Sequence, residues 1–176
     1  MKLISNDDGT WEIQRMGEME FHMLGKLGEA TEAGDSKSAQ DRLFPSLLGR
    51  PAIDEGEDEM IEDWESLVHP DLKSMFKKSI DVVLADLVEI RELDRDGESE
   101  YSLVVRKKHA DDWCSALNQA RLVLHERHKL PDERGVLDDD DEDGGGIGPD
   151  QWLALLQCEV YGVIMEFLVR QVLWLK

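Results

Sequence analysis

The stretch from Gln151 to Leu175, QWLALLQCEVYGVIMEFLVRQVLWL, constrains the fold more than any other part of the chain. It has no proline and reads as one helix from about position 150 to 175. Its only charges, Glu159, Glu166 and Arg170, lie at spacings of seven and four, so they share one narrow stripe. Trp152, Leu155, Leu156, Val160, Tyr161, Ile164, Phe167, Leu168 and Val172 surround that stripe. A helix apolar on nearly every side must be enclosed. Either it is the central rod of a bundle, or another chain covers one of its faces. Self-association or a protein partner, docking through apolar helix surface, is therefore expected. The charges interrupt every window of 18 residues, so a membrane span is not expected.

The remaining elements must supply the rest of that enclosure. Leu3-Ile4 and Trp11-Glu12-Ile13 flank Asp8-Gly9, the dipeptide of a tight hairpin turn, giving an N-terminal hairpin over about 1–16. Met19, Met23, Leu27 and Ala30 share one face of a helix from Glu18 to Ala33, which Gly34 can terminate. Pro45 and Pro51 make the next stretch a connector, on which Leu43, Phe44, Leu47 and Leu48 pack down. A short helix carries Met60, Ile61, Trp64, Leu67 and Val68. The chain restarts at Pro70 and continues helical to about Leu93. Residues 93–100 read as a turn. Tyr101, Leu103 and Val105 alternate as a strand that joins the hairpin. A helix from Ala110 to Lys129 buries Trp113, Leu117, Ala120 and Leu124, and a flexible acidic loop spans about 132–149. The expected fold is one mainly α (α+β) domain covering 1–176. It has about five helices and a small antiparallel sheet of about three strands.

Charge narrows the function. The net charge is −20, and the acidic stretches 54–65 and 132–143 carry −8 and −7 of it. The only basic clusters, Lys77-Lys78 and Arg106-Lys107-Lys108, are too short for a nucleic-acid footprint, and the same field disfavours anionic lipid. Cys114 and Cys158 sit in apolar helical patterns, as buried thiols of a reducing compartment do. The first ten residues, MKLISNDDGT, turn polar too early for a signal-peptide core. A cytoplasmic protein is expected.

Four motifs could carry chemistry. Cys114, Asn118, Arg121 and His125 share one strip of a helix. Cys114 and His125 are eleven residues apart, or about 16 Å along the axis, whereas a nucleophile and its base need about 3 Å. The strip is better read as polar groups flanking a core, with Arg121 bonding Glu159, Glu166 or a carbonyl. Asn118, Arg121, Glu159 and Glu166 thus form an expected structural network, with ligand contacts as the alternative. His125 and His128, three apart, could hold zinc with Asp132 or Glu133, although the helix dipole alone favours histidine there. Asp139, Asp141, Asp143 and Gly144 match positions one, three, five and six of a calcium loop, with Asp150 at twelve. Position twelve wants a glutamate, and three glycines raise the cost of ordering, so a solvated tether is the expectation. No phosphate loop, G-x-S-x-G or H-E-x-x-H motif occurs. No catalytic residue, metal or cofactor is assigned.

The segment DDWCSALNQARLVLHERHKL, followed by a loop and QWLALLQ, resembles a bacterial family of unknown function, domain-of-unknown-function family number two thousand and seventeen. Trp113, Leu117, Asn118, Arg121, Leu122, Leu124, Trp152, Leu153 and Gln157 match its recurring positions. DRLFPSLLG and EDWESLVHPDL resemble its upstream segments. Gln119-Ala120 departs from a more usual Asp-Leu, and the acid-glycine loop is peculiar to this chain. The resemblance implies no activity. Such proteins are often encoded beside the adaptor of the Clp protease, which implies a connection with regulated proteolysis. The expected function is a non-enzymatic interaction or regulatory module. The alternative is a divalent-metal-binding protein or a small hydrolase.

Overall fold

The computed structural model describes residues 1–46, 57–95, 97–131 and 147–174. Strands β1 (Lys2–Ser5) and β2 (Thr10–Met16) form the expected hairpin, with Gly9 at a φ of 82° in the turn. Helices α1 (Glu18–Gly25) and α2 (Leu27–Thr31) follow, the expected single helix being broken at Lys26. Then come α3 (Lys37–Leu43) and α4 (Glu57–Asp63). A π-helical turn over Trp64–Val68 runs directly into α5 (His69–Leu87). Strands β3 (Arg91–Arg95) and β4 (Glu98–Arg106) lead through a 3₁₀ turn to α6 (Ala110–His128), and α7 covers Pro149–Trp174.

The sheet is antiparallel in the order β1-β2-β4-β3, so it has four strands, not three. The mainly α, α+β class holds at that level. The extra strand is RELDR, which the sequence reading divided between a helix end and a turn. All five of its residues are exposed, so it carries no alternation to read. Its charges suit an edge strand, where they discourage further pairing. Helix α3 was also missed, inside what looked like a connector. Ser36 caps it, its hydroxyl accepting from the Ala39 N–H at 3.4 Å.

Trp11, Ile13, Met16, Leu103 and Val105 form the buried face of the sheet. Ile13 and Met16 are three apart, which strict alternation forbids. A β-bulge lies between them, with Arg15 at a φ of 58°, and returns Met16 to the core. The central helix is α6, which contacts α2, α3, α5 and α7. Its inner side is Trp113, Ala116, Leu117, Ala120 and Leu124. Of the two alternatives for α7, the central rod is not the one formed within this chain. Helix α7 lies outside α6, burying Ala154, Cys158, Tyr161, Ile164 and Leu168 and leaving its other side open.

Candidate functional site

Two polar clusters meet α6. The first surrounds Asp86, a carboxylate only 1% exposed at the end of α5. Its Oδ1 accepts from the Arg106 guanidinium at 2.8 Å. Its Oδ2 accepts from His109 Nδ1 at 2.8 Å and from the Trp113 indole N–H at 3.0 Å. A carboxylate only accepts, so His109 carries a proton on Nδ1. Four elements thus converge on one buried group: α5, the end of β4, the 3₁₀ turn and α6. Beside them, the Ser79 hydroxyl donates to Asp112 at 3.0 Å, again joining α5 to α6. The sequence reading did not single out Asp86 or His109. The signal was present: Asp86 stands three after Val83 and four before Ile90, inside α5's apolar stripe. An acid at a core position demands partners.

The second cluster is a cleft of about 300 Å³ between α3 and α6, lined by Arg42, Asn118, Arg121, Leu122, His125 and Glu126. It gathers Asn118, Arg121 and His125 from the strip read in the sequence, and adds Arg42 from across the gap. The expected structural network is not formed. Asn118 and Glu159 are exposed, and Glu166 pairs with Arg170 one turn further along α7. Arg121 Nε is buried without a hydrogen-bond partner, and its guanidinium rests near Gly162 of α7. Arg121 meets α7 at Gly162, beside the stripe of Glu159 and Glu166, and bonds neither carboxylate.

The histidine pair is separated as well. His125 lines this cleft, whereas His128 lines a smaller cavity of about 150 Å³ with Lys26, Glu29, Arg127 and Asp150. Among the described residues, no three His, Cys, Asp or Glu side chains come together as a metal site. Asp139, Asp141 and Asp143 lie outside the described residues, and Asp150 sits in the first turn of α7. Cys114 is half-buried and Cys158 buried, both as free thiols. Cys158 Sγ donates to the Arg121 carbonyl at 4.0 Å, and burial pushes its thiol up to about 11. Burial likewise raises Tyr161, whose hydroxyl accepts from Gln157 and donates to the Met23 carbonyl, both at 2.8 Å. That bond ties α7 to α1.

The outer side of α7 is the third feature. Trp152 is 56% exposed, and Leu153, Val169 and Val172 are exposed with it. The helix is long and apolar enough to cross a membrane by length and composition, with a mean hydropathy of 1.6 over its most apolar window. Of that window, 39% is buried against the rest of the protein.

A small α+β domain with an open helix face and a donor-lined cleft defines the class of protein. The family model described as domain of unknown function, DUF2017, matches residues 4–172, and the chain belongs to that family. No curated protein and no solved structure matches it.

Proposed function

We propose that this protein is a non-enzymatic interaction module that pairs with a second copy of itself through the outer side of α7. One observation carries the reading. Trp152, Leu156, Glu159, Val163, Glu166 and Arg170 run along that side at alternating spacings of four and three. The spacing is that of the a and d positions of a coiled coil, here with charged residues at three of the six places. Trp152, Glu159, Glu166 and Arg170 are exposed, and Leu156 and Val163 half-buried. An antiparallel pairing centred between Ile164 and Met165 sets Glu159 of each copy opposite Arg170 of the other. The same register puts Val163 opposite Glu166. Charge thus selects both orientation and register. Buried groups on the opposite side of α7 hold the helix on its own domain, which supports a soluble partner over a lipid one.

The reading has the protein acting in the cytoplasm, apart from nucleic acid and membrane, and its net charge of −20 supports that. A regulatory role in proteolysis belongs to the same proposal and rests on the family resemblance. Sedimentation equilibrium tests the pairing. The expected result is a dimer at micromolar concentration. Arg170→Glu dissociates it, and adding Glu159→Arg in the same chain restores it. A monomer throughout that range overturns the reading.

A further inference from the structure

We infer that the cleft between α3 and α6 is a binding site for a small dianionic oxyanion of the phosphate class. The inference goes beyond the pairing of α7 and does not depend on it. Arg42 and Arg121 bring two guanidiniums to one cleft of about 300 Å³, at the lower end of ligand-sized cavities. Asn118 adds an amide, and His125 an imidazole. Among the described residues, none of these four side chains has a hydrogen bond or ion pair. What sets these groups apart is that they share one cleft. Among the described residues, Arg106 pairs with Asp86, Arg170 with Glu166 and Arg95 with Glu100, whereas Arg15 and Arg91 are exposed and unpaired but stand outside any shared cleft.

Within Arg121 one atom, Nε, is buried and unpaired, and a buried donor without an acceptor is costly. Trp11 Nε1 is also buried without a partner, but within the core of the sheet. Arg121 also lines the cleft, but its Nε is shut in beside Gly162 of α7, so a ligand there would meet the terminal nitrogens of the guanidinium. Guanidiniums bind carboxylate and phosphate in a bidentate fork. A monocarboxylate has too little charge and too few oxygens for both arginines and the amide. A phosphate dianion has enough of each. Glu126, the one acid in the cleft among the described residues, cannot hold the anion and is placed to accept from a hydroxyl or amine on the same ligand. A phosphomonoester carrying such a donor is therefore the preferred class.

The test is a nitrogen-15 NMR titration of the full chain with inorganic phosphate, and separately with glycerol 3-phosphate and succinate. Both phosphates are expected to give saturable shifts at the Nε–H signals of Arg42 and Arg121 and at the Asn118 amide. The ester should bind more tightly. Arg42→Gln, on the cleft's exposed rim, should weaken phosphate binding by about tenfold while leaving the spectrum of the fold unchanged. Three results overturn the inference: shifts that never saturate, shifts that appear equally at Lys77-Lys78 and Arg106-Lys108, or affinity unaltered by Arg42→Gln. Succinate binding more tightly than either phosphate overturns the assignment to phosphate.

Discussion

Asp86, packed on α6 from α5, and Arg121, carried by α6 itself, are both charged groups beside the apolar core, and their surroundings differ in one respect. Around Asp86, three donors from three elements fill both carboxylate oxygens. Around Arg121, several donors line one cleft with a single carboxylate, Glu126, and among the described residues none of them is bonded. The first arrangement is closed and holds the domain together where α5, β4 and α6 meet. The second is open and has capacity left over. Charge and burial alone do not separate structure from function in this protein; the balance of donors and acceptors does. The largest effects of mutation should therefore fall on the closed cluster.

Asp86→Ala is expected to be the most damaging single change. It strands the Trp113 N–H in the core and removes the anion opposite Arg106 and His109. Loss of one member of a buried charged network costs about 3–5 kcal/mol. Urea unfolding measures it, and a loss below about 1 kcal/mol would show that the cluster contributes little. Next in size is Trp113→Phe. It keeps most of the buried ring but takes one of two donors from Oδ2. About 1–3 kcal/mol is expected, and a double-mutant cycle with Asp86→Ala should show coupling. Additive losses would mean that the indole matters for packing alone.

How far these clusters were legible follows from the same distinction. The hairpin at Asp8-Gly9, the strand at Tyr101–Val105 and the long helices could be read because apolar periodicity marks them. The strand Arg91–Arg95 could not, since every residue is exposed and only its ladder to β4 defines it. The strip Asn118, Arg121 and His125 was legible as helical spacing, but its partner Arg42 lies 76 or more positions away in the chain. Periodicity is local, whereas a cleft is made by packing α3 on α6. Asp86 was legible in principle as an acid on a core stripe. The identity of its donors was not, because two of them follow a strand whose place in the sheet is set by β2. The choice between a central rod and an open face for α7 was not legible for a related reason. Its all-round apolar surface shows that something must cover it, and does not say whether that cover is this chain or another.

Cys158 lies between the closed and open regimes, packed in the core yet within reach of the Arg121 carbonyl. Burial raises its thiol from an ordinary value near 9 to about 11. The unfolded chain therefore ionises first. The thiol's contribution to stability is fully present below pH 9 and is lost as pH rises toward 11. Relative to Cys158→Ala, the wild-type protein should lose on the order of 1 kcal/mol of its advantage near pH 10. Using the alanine variant as reference cancels the titration of Tyr161. A gap that stays constant with pH would show that Cys158 reaches water.

The smallest effect is expected at Arg121 itself, and it bears most directly on the comparison. If Arg121 bonded a buried carboxylate, as its position in the sequence suggests, its removal would cost about 1–3 kcal/mol. The structure gives the side chain no acceptor, so Arg121→Leu leaves no group unpaired. It also removes the burial cost of Nε, while the leucine keeps apolar contact near Gly162. The opposing term is the loss of the longer stem's packing. These terms are similar in size, and the net change should stay within about 0.5 kcal/mol. Thermal unfolding in phosphate-free buffer measures it. The same pair of proteins should then separate when phosphate is added. Ligand that binds only the folded state raises the wild-type melting temperature by mass action, and the leucine variant should not follow. A large loss without phosphate would mean that Arg121 has an acceptor in solution and belongs with Asp86 in the closed class. Equal responses to phosphate would mean that the anion binds elsewhere.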